Sequence, residues 1–110
     1  MEYSLRVIRM YAALPEQQAV AQVLGKQALR SGTSAGAQQR EADQARSRAE
    51  FISKMSSALQ ELSEPEYWLE LLVKSGTLSL DRLNPLLAET GELKAIFISI
   101  VRKAKQGAKA

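Results

Sequence analysis

The chain has 110 residues, enough for one hydrophobic core and too few for two, so residues 1–110 read as one domain. Apolar residues make up 45% and charged residues 25%, with no cysteine and no histidine; that excludes disulfides, thiolate metal sites and imidazole general bases. The net charge of +3 is unevenly spread: residues 1–25 balance, 26–54 carry +3, 55–92 carry −5 and 93–110 carry +5.

A basic end beside an acidic middle suits polyanion binding or complementary docking, and it equally suits a solvated surface with a basic tail. A metal would need an all-oxygen site, and no Asp-rich loop of calcium spacing is present. No cofactor is expected. No apolar stretch reaches the ~18 residues of a membrane span and the N-terminus is not a signal peptide, so the expected location is cytoplasmic, away from membranes.

In chain order, an amphipathic run from Ser4 to Leu14 carries Leu5, Ile8 and Tyr11 at helical spacing and stops before Pro15, giving a first helix over about 4–14. The second helix is expected over 16–45, with Val20, Val23 and Leu24 facing inward. Ser31-Gly32-Thr33-Ser34 looks like a loop on propensity alone. Yet Leu24, Ala28, Ser31, Ala35, Gln38, Ala42 and Ala45 step by 4, 3, 4, 3, 4 and 3 straight through it. Such a stripe of small residues lets helix backbones approach closely, and the cost of each glycine, roughly 1 kcal/mol, is offset by packing.

Ser47-Arg48-Ala49-Glu50 is a capping box that opens a third helix over 48–74. Its seam is read as Ile52, Met55, Leu59, Leu62, Glu66, Leu69 and Val73, and Pro65 inside it kinks the helix or breaks it at a new cap on Ser63. The unbroken apolar register favours the kink. Ser75-Gly76 ends this helix. A fourth helix over 80–105 follows Leu83, Leu86, Thr90, Leu93, Phe97, Ile100 and Ala104, with 106–110 frayed. Residues 93–101 are apolar enough for a buried strand, but no partner strand exists, so helix is preferred. The extra apolar face suggests a subunit interface at Ile96, Ile98 and Val101. The fold class is all-α, a four-helix up-and-down antiparallel bundle.

The ordered stretches that carry a likeness are Ser4 to Pro15, Thr33-Ser34-Ala35-Gly36-Ala37 with Glu41, Glu50-Phe51-Ile52, Ala58 to Glu61, Tyr67 to Leu72 and the apolar fourth helix. In them the chain resembles the four-helix-bundle proteins encoded in intervening sequences of bacterial 23S ribosomal RNA genes. The accessory variability proteins of diversity-generating retroelements belong to the same broad group. The resemblance implies a helical bundle and, for related members, a barrel-shaped homopentamer. For the retroelement members it also implies nucleic-acid binding and association with a reverse transcriptase. The family pattern often has Asn where this chain has Gln38, and Gly where it has Ala42. A pI of about 9.4 is compatible with an RNA or DNA partner.

Glu41, Glu61, Glu66 and Glu70 fail as a di-iron set because the Glu-x-x-His motif has no histidine to draw on. Glu66 is expected to pair with a buried arginine, Arg40 being the first partner to test, or to point to solvent beside the Pro65 kink. Ser34 and Gln38 form a polar pocket or, as favoured here, a hydrogen-bond network that sets helix register. Tyr67 and Trp68 stack on bases or, as favoured here, pack in the core or an interface. The nucleic-acid candidates are Arg40, Arg46 and Arg48 near the junction of the second and third helices, and Arg102, Lys103 and Lys105 at the end of the fourth. Antiparallel packing could bring both clusters to one end. Their other reading is solubility and complementation of a helix C-terminus. The expected protein is a non-enzymatic scaffold that binds nucleic acid. The alternative is a protein–protein module docking through the fourth helix and the acidic middle.

Overall fold

The computed structural model describes residues 2–109, which form four helices and no strand: α1 (Glu2–Ala12), α2 (Ala19–Asp43), α3 (Arg48–Lys74) and α4 (Leu80–Lys109). Consecutive helices pack side by side and α1 also touches α4, so α1 faces α3 and α2 faces α4 across the diagonals of an antiparallel bundle. The rod measures 53 × 20 × 18 Å. The 11 residues of α1 reach about 16 Å against about 45 Å for the 30 of α4. One half of the rod is therefore four helices thick and the other half three.

The α3 boundaries match the capping signals. The Ser47 hydroxyl accepts from the Glu50 amide at 3.1 Å. At the other end Gly76 takes φ +77°, a left-handed turn that a Cβ would strain, and the Leu78 amide reaches the Leu72 carbonyl at 3.0 Å. The helix runs unbroken through Pro65, whose ring is buried, so no new cap forms at Ser63. The other ends shift. Ahead of Pro15 the chain tightens, with Leu14 bonding to the Tyr11 carbonyl, so α1 stops at Ala12 rather than 14. Residues 15–18 then form a turn, and α2 opens at Ala19 rather than 16. Gln22 ties this corner: it accepts from the Tyr11 hydroxyl and donates to the Pro15 carbonyl, each at 3.1 Å. The second helix closes at Asp43, two residues before the expected 45. The expected fraying of 106–110 gives way to helix through Lys109; Ala110 lies outside the described residues.

The core draws on all four helices, and its α2 wall is made of small residues. Ala21, Gly25, Ala28, Ser31, Gly32, Ala35 and Ala42 are buried, as the seam through Ser31-Gly32 requires. The first helix lies directly on this wall. A Cβ on Gly32 would stand 3.1 Å from Val7, and one on Gly36 would stand 2.6 Å from the Ser4 hydroxyl. This closeness corrects two expected faces. The inner face of α1 is Tyr3 and Val7, continued by Leu14 in the turn beyond it, while Leu5 and Ile8 are exposed. Val20 and Val23 point outward, Val23 at 62% exposure, because the small positions beside them take the close contact. In α3 the buried row is Met55, Ala58, Leu62, Pro65, Leu69 and Leu72; it shares Met55, Leu62 and Leu69 with the expected seam and leaves Ile52, Leu59, Glu66 and Val73 at its edges. Of the expected α4 seam, Leu83, Leu86, Thr90 and Phe97 are buried, and Leu93, Ile100 and Ala104 are half-buried at its edges.

Candidate nucleic-acid interface

Two long antiparallel helices decide which cations meet. The third helix starts at Arg48 and α4 ends at Lys109, so the first turn of one lies beside the last turns of the other. Arg48 lies against Gly107: a Cβ on Gly107 would be 3.2 Å from the Arg48 Nη1. One α4 turn away, Arg102 and Lys105 border a cavity of about 380 Å³ with Leu59, Ile98 and Val101 in its lining. Lys103 is exposed on the same last stretch of α4. Among the described residues none of Arg48, Arg102, Lys103 and Lys105 forms an ion pair. Uncompensated cations thus gather at the three-helix end: Arg102 and Lys105 line a partly apolar groove, Arg48 lies against Gly107 and Lys103 is exposed on the same stretch of α4.

The other two candidates stand apart. Arg46 lies in a separate depression with Glu41, Glu50 and Lys54, where carboxylates dilute its charge. Arg40 is on the α1 side of α2, near Ser4, Leu5 and Ile8. That placement also overturns its expected pairing. Glu66 bonds Lys94 of α4 at 2.9 Å, because α4 rather than α2 borders that face of α3. Of the remaining acids considered as a cluster, Glu41 pairs with Lys54 at 3.0 Å and Glu70 is exposed. One Glu61 carboxylate oxygen is buried without a hydrogen-bond partner among the described residues. No group of three or more acidic side chains could hold a metal ion among the described residues.

The buried polar contact that ties helices together is not Ser34 with Gln38, both half-buried and without a side-chain hydrogen bond among the described residues. It joins Tyr3 of α1 to Thr90 of α4 at 2.7 Å, and Thr90 also donates to the Leu86 carbonyl at 2.8 Å. Burial pushes the Tyr3 phenol up to about 12; its bond to Thr90 opposes that, and the charges of Glu89 and Glu66 add to it. Thr90 on an otherwise apolar seam was the sequence signal for this contact. Tyr67 is exposed and meets Trp68 edge-on at 5.0 Å, while the Trp68 indole nitrogen is buried.

The interface candidates on α4 also divide. Ile96 and Ile98 are 51% and 42% exposed. Val101 is only 8% exposed and belongs to the chain's own core, which removes it as a contact surface.

A second basic gathering was missed from sequence. Arg6, Arg9 and Arg82 surround a cavity at the opposite end of the rod. Charge summed by segment hid it, because Arg6 and Arg9 are cancelled there by Glu2 and Glu16, and Arg82 falls in the acidic stretch.

The model of the 23S rRNA-intervening sequence protein family matches residues 1–99. The chain belongs to this family. A crystal structure of a protein of unknown function from Bacteroides thetaiotaomicron, described as from the S23 ribosomal protein family, superposes with a TM-score of 0.83. It is 40% identical, over 91% of this chain and 92% of that one. No curated protein matches. The family match includes the groove residues Leu59 and Ile98 and ends before Arg102, Lys103 and Lys105. Among the described residues no helix is long and apolar enough to cross a membrane.

Proposed function

We propose that this family member is a non-enzymatic, self-assembling bundle whose basic end holds the phosphate backbone of RNA or DNA. The observation that carries the reading is the meeting of Arg48 with the last turns of α4. Cations far apart in sequence share one surface there without ion-pair partners among the described residues. Contacts of this kind neutralise phosphates and release counterions, so they are weakly sequence-specific and fall steeply with salt. Arg40 and Arg46 contribute at most to the surrounding field. Exposed Ile96 and Ile98 on α4 are the surfaces offered for self-assembly. In the ring of five that the resemblance implies, the net charge of +3 per chain becomes about +15, a field strong enough to steer a polyanion. A reverse transcriptase is the further protein partner implied by the same resemblance.

The competing reading is a protein–protein module without nucleic acid. It is favoured by Ile96, which is exposed and does not line the basic groove. Fluorescence anisotropy with a mixed-sequence RNA separates the two. Binding should weaken sharply between low and high salt, and the combined Arg102→Glu, Lys103→Glu and Lys105→Glu variant should lose at least roughly tenfold in affinity. Unchanged affinity in the variant would move the site elsewhere. Binding that ignores salt, or none at all, would leave the protein module.

A further inference from the structure

The cavity at the other end of the rod has a different character from the basic groove. It measures about 330 Å³. Its lining joins the end of α1, the α3–α4 connection and the start of α4, through Met10, Leu78, Leu83 and Leu86. Among the described residues, the charged side chains lining it are Arg6, Arg9 and Arg82, with no carboxylate. Arg6 is engaged by Glu89 and, more distantly, by Glu2. Arg9 and Arg82 are exposed and form no ion pair among the described residues. An apolar floor with two uncompensated guanidinium groups at its rim matches a molecule that is apolar at one end and anionic at the other. Guanidinium presents parallel N–H donors that fit a carboxylate bidentately.

We propose that this cavity binds a small amphiphilic carboxylate, its apolar chain against Met10 and Leu86 and its head group on Arg9 and Arg82. The volume lies at the lower end of the ~300–1,000 Å³ range of small-molecule pockets. A protein partner covers roughly 800 Å² on each side of an interface, far more than one such depression offers. Single-stranded nucleic acid is a poor fit because no aromatic side chain lines the cavity for a base to stack on. The site is independent of the basic groove and of its proposed ligand.

The methionines make the test local. The chain has three, of which Met10 lines the cavity and Met55 is buried in the core at 2% exposure. With methionine methyls labelled for NMR, decanoate below its micelle concentration should shift the Met10 signal saturably and leave Met55 in place. Decanol and acetate, each lacking one end of the amphiphile, should bind at least tenfold more weakly. Arg9→Gln with Arg82→Gln, both at exposed positions, should weaken decanoate at least tenfold without changing decanol. Equal affinity for decanol and decanoate would reduce the site to a greasy cleft and overturn the proposal. So would an unmoved Met10, a Met55 shift that tracks Met10, or a Met10 shift produced by a short RNA and not by decanoate.

Discussion

Replacing Gly32 and Gly91 by alanine, one at a time, tests whether α1 rests on a backbone-thin strip of α2. Both glycines sit inside long helices. Alanine therefore gains about 1 kcal/mol of helix propensity at either site. Around Gly91 nothing lies within 4 Å of the added methyl, so the gain stands alone and the variant should be about 0.5–1 kcal/mol more stable. At Gly32 the methyl would meet Val7 Cγ2 at 3.1 Å, Cγ1 at 3.2 Å and Cβ at 3.5 Å. Val7 is fully buried, and a β-branched side chain in a helix has essentially one rotamer, so it cannot swing away. The helices must separate instead. Overpacking of this kind costs about 1–3 kcal/mol, leaving Gly32→Ala about 1 kcal/mol less stable than the parent. The two variants should differ by about 2 kcal/mol, or roughly 10 °C in Tm for a domain of this size. Urea and thermal unfolding at matched protein concentration would measure it, since any self-association adds a concentration term. Adding Val7→Ala to Gly32→Ala should return about 1 kcal/mol of coupling in a double-mutant cycle. If Gly32→Ala were as stabilising as Gly91→Ala, the close approach of α1 to α2 would be wrong.

The buried Tyr3 phenol makes stability fall at alkaline pH. The unfolded chain releases this proton near pH 10 and the folded chain holds it to about 12, so folding loses about 2–3 kcal/mol as pH rises between those values. Tyr3→Phe should cost about 1 kcal/mol at neutral pH, because the Thr90 hydroxyl keeps its bond to the Leu86 carbonyl. The variant should also flatten the alkaline decline in urea titrations, and parallel curves for the two proteins would refute the assignment. Ile96→Glu or Ile98→Glu should shift the particle mass in light scattering toward smaller species without lowering the helix signal. If both variants keep the parental mass, α4 does not form the subunit contact.

Much of the bundle was legible in the chain because helix ends and seams are local properties. Ser47 and Glu50 mark the start of α3, and Ser75-Gly76 marks its end, through groups within one turn of each other. The period-seven stripe through Ser31 and Ala35 overrode two glycines for the same reason: periodicity needs no knowledge of the partner. The face that each helix turns inward was harder. Leu5, Ile8, Val20 and Val23 are strongly hydrophobic residues of their segments, and a reading by hydrophobicity turns them to the core. The core instead took Tyr3, Val7, Ala21 and Gly25, because fitting α1 onto α2 depends on the volumes of both surfaces at once.

Charge behaved likewise. The sequence located the +5 stretch at the chain's end, but not its neighbours. Antiparallel packing placed Arg48 beside Gly107, gave Glu66 to Lys94 and left Arg40 on the far side of α2. It also brought Arg82 beside Arg6 and Arg9 around one cavity, although Arg82 is far from both in the chain. Sequence by itself determined four helices, their approximate ends, the α2 seam at Ala28, Ser31, Ala35 and Ala42 and the α4 seam at Leu83, Leu86, Thr90 and Phe97, since these follow from hydrogen bonds and periodicity along a single segment. The tertiary structure alone decided the inner face of α1, the ion pairs and both cavities, since each requires side chains from different helices to meet at distances that no single segment encodes.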